Sequence, residues 1–566
     1  MSAEVPKKAP KPLKVGLISL GCAKNLVDAE IMLGSLARAG LVVTPDPEHA
    51  DAVIVNTCSF IDAAQEESVD AILESAALRD ERRPGQGLIV AGCMSQRFRE
   101  ELPKLLPEVD AFMGIDQVGQ VDQIVRDAVA RRASTLQHPK ATGGRGGRAR
   151  GANVKADLAE ARATGAGVSE GKDSEGAPVL AGKGRKNQTK EVLKPAQAAG
   201  PIVDIHLRPT YIPDYVTPRF RLTPKHFAYV KIAEGCNHPC SFCIIPRMRG
   251  SHRSRGLNDI VSEARQLLSE GVRELNLISQ DSTYYGLDLR VNPSRAIASP
   301  ERFNAAAAQA DAPTLPDLLE ALNELPGNFW IRLLYTHPAH WTDRLISTIA
   351  QCRKVARYVD IPLQHIHENM LRRMRRETSR AYIEELLGRI RAGIPGIALR
   401  TTFIVGFPGE TKDSFNSLLK FIRETRFERL GVFAYSREDG TVAGKMTQQV
   451  SDGVKEERKK AAMLEQREVS RALAAAQLGK PMQVLVEKAA SKQELDQAQI
   501  SSWEHGLIRA EQADLELRGR YVVARGEADA PDIDGRVYVH GRLPLGEFAN
   551  VKIVGHTDYD LLAEPV

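Results

Sequence analysis

What this chain lacks narrows its class before any motif is read. No run of about 18 apolar residues occurs in its 566 positions, which argues against a helix that spans a membrane. Its first residues, MSAEVPKKAPKPLK, have no apolar stretch and do not read as a signal peptide. They are expected to form a loose basic tail over 1–13. Without an export signal a reducing, cytoplasmic setting is expected, where clustered cysteines favour metal over disulfides. Aromatic residues make up only 5% of the chain, and none occurs between Met113 and Thr210. Residues 139–200 are rich in Gly, Ala and Lys instead, as in ATGGRGGRARGAN and AGKGRKNQTK. Such a stretch buries too little apolar surface to offset its ordering entropy. A disordered basic linker over 134–221 is therefore expected between two domains.

Charge is nearly balanced overall, with a net of +5 that argues nothing by itself. Its distribution is more informative. Residues 134–200 hold 12 Lys+Arg against 6 Asp+Glu, whereas residues 479–566 hold 10 against 15. The basic excess sits in the linker, where it suits contact with RNA or simply keeps the segment solvated. The last domain is acidic.

Apolar runs at Val15–Leu20, Ala52–Val55 and Leu88–Ala91 alternate with helical patterns over 14–133. That alternation implies an α/β domain with a parallel sheet. A second, longer series fills 222–450, with candidate strands at Phe227–Ile232, Leu275–Ile278, Ile331–Tyr335, Tyr358–Ile361, Thr401–Val405 and Leu430–Phe433. It suggests a full or partial β/α barrel of the TIM type. Residues 291–312 read as an insertion into it. A charged helix is expected over 451–478, ending before Gly479. Alternating apolar and polar residues with turn signals then predict a small antiparallel β-barrel over 479–566.

Six of the seven cysteines fall into two sets of three. Cys236, Cys240 and Cys243 share one strand-to-helix loop, EGCNHPCSFC. Cys22, Cys58 and Cys93 each follow one strand of the first sheet. Loops beyond the carboxyl ends of parallel strands converge on a crevice, so these three can meet despite their separation. A closed zinc site or fully ligated iron–sulfur cluster takes four protein ligands, so two sets of three suggest two sites with an open position each. A structural zinc with His238 or His252 as fourth ligand is the competing reading of the tight set. Buried structural cysteines are the competing reading of the spread set. His238 reads as an ordinary polar loop residue, and Cys352 as a buried apolar filler. Gln280, Asp281, His337, Gln364 and His365 follow barrel strands, which makes them candidates for the cavity mouth.

The loop Cys236-x3-Cys240-x2-Cys243 closely resembles the cluster-binding motif of the radical S-adenosylmethionine (AdoMet) superfamily. SLGCAKNLVDAE (19–30), NTCSFI (56–61) and GCMSQ (92–96) resemble the N-terminal domain of the methylthiotransferases. That family joins such a domain to a radical AdoMet barrel and a C-terminal TRAM β-barrel. The resemblance implies two 4Fe–4S clusters. One is on Cys236, Cys240 and Cys243, as catalytic ligands that bind AdoMet at an open iron. The other is an auxiliary cluster on Cys22, Cys58 and Cys93 that presents sulfur. It places Phe242 near the adenine and aligns TTFIVGFPGET (401–411) with an AdoMet-binding segment, in which Ile404 and Gly406 let the backbone approach. With Gln280 and Asp281 these form the expected cofactor-binding set.

Two branches of the family compete. One modifies an adenosine of transfer RNA; the other modifies an aspartate of ribosomal protein S-twelve. SLGCAKNLVDAE, EGCNHPCSFCIIPRMRG, LISQDSTYYG and ADAPDIDG (528–535) resemble the second branch. The acidic final domain suits a basic ribosomal protein better than RNA. The implied reaction replaces a C–H bond at the aspartate β-carbon with C–S–CH3. It uses a 5′-deoxyadenosyl radical, an external electron donor and a second AdoMet for the methyl group. The expected partner is the small ribosomal subunit. A non-catalytic iron–sulfur protein that binds ribosomes is the alternative of a different class.

Overall fold

Short runs of Val, Ile and Ala bounded by Gly, Asn and Asp become strands in the first unit, where the central strands are buried on both faces. The computed structural model describes residues 11–137, 154, 157, 200–291, 299–491 and 519–566. They divide into two units, Met1–Leu207 and Arg208–Val566. In the first, strands β1 (Lys14–Ser19), β2 (Val42–Val43), β3 (Ala52–Thr57), β4 (Gly87–Gly92), β5 (Ala111–Met113) and β6 (Ile202–Asp204) form one sheet. Its order is β2-β1-β3-β4-β5-β6, and every pairing is parallel. β3 and β4 are buried at every position. Val53, Val55, Leu88 and Val90 pack with Val69, Ile72 and Phe98 of the covering helices.

Both ends of the expected linker over 134–221 hold regular structure. The helix Val121–Gln137 runs four residues past 133. After the linker, the chain returns to add β6 beside β5, with Ala111 opposite Ile202. A three-residue edge strand is too short to show a period, which is why sequence reading missed it. Apart from Val154 and Asp157, residues 138–199 lie outside the described residues, as do residues 1–10 of the expected tail.

The second unit carries the longer series. Its strands are β7 (Phe227–Lys231), β8 (Ala233–Glu234), β9 (Arg253–Ser254), β10 (Glu274–Ile278), β11 (Trp330–Leu333), β12 (Val355–Asp360), β13 (Ala398–Val405) and β14 (Arg429–Ala434). Six of them form an open parallel sheet in the order β14-β13-β12-β11-β10-β7, while β8 and β9 make a short antiparallel pair. This is the partial β/α barrel. Its core joins Val230, Leu277, Leu333, Val359 and Val405 to Leu267, Leu319, Ile349, Leu386 and Leu418 of the helices. Cys352 lies in that core, 5% exposed, as a buried filler. The segment 291–312 is not all irregular. Ser299 accepts a hydrogen bond from the Arg302 backbone N–H and starts a helix Pro300–Ala308 that buries Phe303. Residues 292–298 lie outside the described residues.

The helix Asp452–Ala475 leads to β15 (Pro481–Ala489), β16 (Tyr521–Gly526), β17 (Val537–His540), β18 (Phe548–His556) and β19 (Leu561–Pro565). These close into a barrel in the order β15-β16-β17-β19-β18. Its loop 527–535 docks on the arginines of the open sheet. Arg429 Nε donates to Asp529 at 2.9 Å, and Tyr358 Oη donates to Asp534 at 2.7 Å. Arg400 pairs with Asp534 at 3.4 Å, and Arg332 Nη1 donates to the Glu527 carbonyl at 2.7 Å. Glu274, fully buried, binds both Arg332 and Arg525. No helix among the described residues is long and apolar enough to cross a membrane.

Candidate functional site

The tight cysteine set sits between β8 and the helix Ile245–Arg249. Gly235 makes the turn after β8 possible. Its φ is +83°, and a Cβ there would lie 2.1 Å from the Ser251 carbonyl oxygen, so only glycine fits. The Cys236 N–H then bonds the Gly250 carbonyl at 3.1 Å, and the Cys243 N–H bonds the Cys240 carbonyl at 3.2 Å. None of the seven cysteines forms a disulfide. Burial pushes the Cys236 thiol well above its ordinary pKa, with further repulsion from Cys243 and Asp281. Burial and the neighbouring Cys240 push the Cys243 thiol up to about 12. Three thiols that repel one another when ionised form a donor set that calls for cationic charge among them, as iron supplies.

Beside this loop, Gln280 and Arg376 each leave one buried polar atom without a hydrogen-bond partner, and the two atoms are of opposite character. Gln280 gives its Nε2 to Glu234 at 2.7 Å, and its Oε1 is left without a donor. Arg376 reaches Cys240 Sγ with Nη1 at 3.5 Å and the Pro362 carbonyl with Nη2 at 2.8 Å, and its Nε has no acceptor. An acceptor and a donor left over beside the thiols fit a ligand with an amine and a carboxylate. Sequence reading missed Arg376. It lies in MRRET, after a helix rather than a strand, so no positional signal marked it.

An apolar wall stands on the other side of the loop. Phe242 and Ile404, both half-buried, pack with Met370, Met374, Phe407 and Tyr435. The structure thus brings together two residues chosen from separate motifs. Gly406 has a different reason to be glycine. Its φ is +71°, a Cβ would meet Lys455 Cγ at 2.3 Å, and its N–H donates to Glu410 Oε2 at 2.6 Å. Glu410 also holds His365, whose Nε2 lies 3.1 Å from Oε1, while His365 Nδ1 accepts the N–H groups of Ile366 and His367. His365 is therefore a buried neutral ring, and burial lowers its pKa. Gln364 takes the left-handed region at φ +72° just beyond β12.

His238 is not an ordinary loop residue. Its Nε2 lies 2.8 Å from Asp281 Oδ2, and its Nδ1 lies 3.0 Å from Glu377 Oε2. A ring with a carboxylate on each nitrogen is an imidazolium. Burial opposes that charge, yet the bonds to Asp281 and Glu377 raise the pKa to about 10. His337 stacks on it at 3.6 Å between centroids, and His340 Nδ1 shares Asp281 Oδ2 at 2.7 Å. The other oxygen of Asp281 accepts from the Thr283 N–H at 3.0 Å and also holds the Thr283 hydroxyl. Asp281 is thus engaged in holding histidines. His238, His337 and His340 lie close enough for a metal site, but both nitrogens of His238 are already taken by Asp281 and Glu377.

In the first unit, Cys22 precedes the helix Ala23–Arg38, Cys58 follows β3, and Cys93 follows β4. Cys58 and Cys93 are each 6% exposed. Thr57 and Gly92, the last register partners of the β3–β4 ladder, are followed directly by Cys58 and Cys93. A Cβ on Gly21 would lie 2.7 Å from Cys58 Cβ, so the first loop presses against the second. The three loops converge, as their strand-end positions predicted, and the donor set suits iron as the tight set does.

The acidity of the last domain is partly spent inside the molecule. Glu487, Asp529, Asp534 and Glu547 all face arginines. Another six of its carboxylates, Glu494, Asp496, Glu504, Glu511, Asp514 and Glu516, fall in 492–518, outside the described residues. Its net charge is therefore a weak guide to a partner.

Family models match three segments. Residues 14–114 match the uncharacterized protein family UPF0004, 230–422 the radical SAM superfamily, and 512–566 the TRAM domain. A protein of Opitutus terrae named ribosomal protein uS12 methylthiotransferase RimO is 49% identical over 559 residues, covering 98% of this chain and 97% of the relative. The protein of that name from Akkermansia muciniphila is 44% identical, covering 98% of this chain and all of the relative. Among solved structures, the radical S-adenosylmethionine methyltransferase TsrM of Kitasatospora setae, with cobalamin and a 4Fe–4S cluster bound, gives a TM-score of 0.46 at 13% identity, covering 77% of each chain. A radical SAM domain brings AdoMet and a 4Fe–4S cluster with it. With relatives so similar over nearly its whole length, the chain belongs to the RimO family of radical AdoMet methylthiotransferases.

Proposed function

We propose that this chain attaches a methylthio group to the β-carbon of an aspartate in ribosomal protein uS12. The observation that carries the substrate is the near full-length likeness to proteins named for that activity. Cys236, Cys240 and Cys243 are the catalytic cysteines and would hold a 4Fe–4S cluster that binds AdoMet. Cys22, Cys58 and Cys93 hold a second, auxiliary cluster that presents sulfur. When bound, the clusters and AdoMet supply the radical, sulfur and methyl chemistry that no side-chain base can supply at an unactivated C–H bond.

The residues around the cysteines bind and orient. Gln280 Oε1 could accept from the amine of AdoMet, and Arg376 Nε could donate to its carboxylate; each would fill a hydrogen bond otherwise missing. Phe242 and Ile404 would cover the adenine from the apolar wall, and Gly406, at φ +71° against Lys455, holds the turn that follows Ile404. Asp281 bears on the cofactor through His238, which it fixes beside the cysteine loop. An external donor provides the electron, the small ribosomal subunit is the partner, and the setting is the cytoplasm. The basic residues 138–199 are available for RNA around the target. Mass spectrometry of uS12 from a strain lacking this protein tests the reading. The methylthio increment on the aspartate should vanish and return with the gene. Loss from transfer-RNA nucleosides, with uS12 unchanged, would contradict it.

A further inference from the structure

The two cysteine sets pose different physical problems. Cys236, Cys240 and Cys243 lie on one short loop, so the chain itself limits how far they can part. Cys22, Cys58 and Cys93 lie on three loops separated by 36 and 35 residues. Nothing in their covalent connection keeps them together. Something must hold the three loops in register before ligands can meet a cluster.

We infer that Asn25 is that tie, a positioning residue for the spread cysteine site. Asn25 is 0% exposed in the first turn of the helix Ala23–Arg38. Its side chain reaches all three loops. Nδ2 donates to the Leu20 carbonyl of the first loop at 3.1 Å and to the Thr57 carbonyl of the second at 2.8 Å. Oδ1 takes the Cys93 thiol of the third at 3.5 Å. The backbone carbonyl of Asn25 also accepts from Asn56 Nδ2 at 2.8 Å, a second link to the strand that ends at Cys58. The amide cannot be turned around, because Oδ1 would then face two carbonyl oxygens that offer no proton. Its direction toward Cys93 is set by the other two loops.

The chemistry of the position is narrow. Aspartate has the same shape but no N–H, so it would meet the carbonyls of Leu20 and Thr57 with lone pairs and bring negative charge beside Cys93. Alanine would leave both carbonyls without this donor in a buried site. Two glycines make the tie reachable. Gly21 at φ +88° lets the first loop press on Cys58, and Gly92 at φ +94° keeps a Cβ from lying 2.5 Å from the Thr57 carbonyl oxygen. Leu20 N–H donates to the Asn56 carbonyl at 2.9 Å, so the first loop stays against β3 until it turns at Gly21.

The inference rests on the reading that Cys22, Cys58 and Cys93 hold an auxiliary 4Fe–4S cluster, and the test separates the two. The full chain and its Asn25→Asp variant are reconstituted anaerobically, and iron, AdoMet cleavage and electron paramagnetic resonance are measured. A second pair carries Cys236→Ala, Cys240→Ala and Cys243→Ala, so that only the auxiliary signal remains. The parent should hold about eight irons and Asn25→Asp about four, one cluster's worth, while still cleaving AdoMet. An Asn25→Ser variant keeps one donor in the site; it should retain iron but show shifted g-values in the triple-alanine chain. That spectral change is one a general loss of stability would not produce. Full iron in Asn25→Asp together with unshifted g-values in Asn25→Ser would overturn the inference. A parent chain holding only one cluster would overturn the two-cluster reading, and the inference with it.

Discussion

At the scale of single residues, the cysteines were legible and their supports were not. The spacing and strand-end context of Cys236, Cys240, Cys243, Cys22, Cys58 and Cys93 follow from local sequence. Asn25, Arg376 and Glu377 act through bonds to residues distant in sequence, which no local period reveals. His238 shows the difference best. It looks like one more polar residue in a loop, and only the fold brings Asp281 and Glu377 to its two nitrogens. Replacing His238 with alanine removes the cation held between Asp281, which is buried, and Glu377, which is nearly so. A loss of about 3–5 kcal/mol of stability is expected, the usual cost of breaking a buried pair, measured by urea unfolding under anaerobic conditions. The cysteines predict a sharper contrast. Cys240→Ala should abolish cleavage of AdoMet to 5′-deoxyadenosine. Cys58→Ala should leave cleavage intact and uncoupled from methylthiolation. Normal product from either variant would contradict the role given to that cysteine.

At the scale of elements, the nine strands read from apolar runs all appear, because buried parallel strands are continuous runs of Val, Ile and Leu. The short elements were missed for lack of length. β6 has three residues and joins the sheet only after a long excursion, and the helix Pro300–Ala308 is marked chiefly by its Ser299 cap. Loops that bend at one glycine carry the site. Gly235 is the clearest case, with a positive φ and a backbone oxygen where a Cβ would go. Gly235→Ala should force the Cys236 loop away from Ser251. The expected result is a chain that folds, by far-ultraviolet circular dichroism, yet holds only the auxiliary cluster's iron after reconstitution. Full iron with normal AdoMet cleavage would show that the loop tolerates the shift.

At the scale of the whole molecule, the buried charges tie the C-terminal barrel to the open sheet. Arg525 bridges Glu274 of β10 and Glu487 of β15. Burial works to raise the Glu487 pKa, but Arg525 and His226 bring it down to about 2, from an ordinary 4.5. A carboxylate with a depressed folded-state pKa stabilises fully above its unfolded value, and that contribution fades as pH falls through the folded one. Stability should therefore drop between about pH 4.5 and pH 2, by roughly 2–3 kcal/mol from this group. Glu487→Gln should flatten the pH dependence in that window, as followed by thermal unfolding. Charge composition suggested an acidic surface for a basic partner, whereas the structure turns several of those carboxylates inward. The substrate is thus better argued from kinship than from net charge. The most direct test of the central claim uses the reconstituted protein with purified uS12, AdoMet and a low-potential reductant, analysed by peptide mass spectrometry. The account predicts a methylthio group on one aspartate of uS12, absent with Cys58→Ala; an unmodified uS12 despite two intact clusters and AdoMet turnover would contradict it.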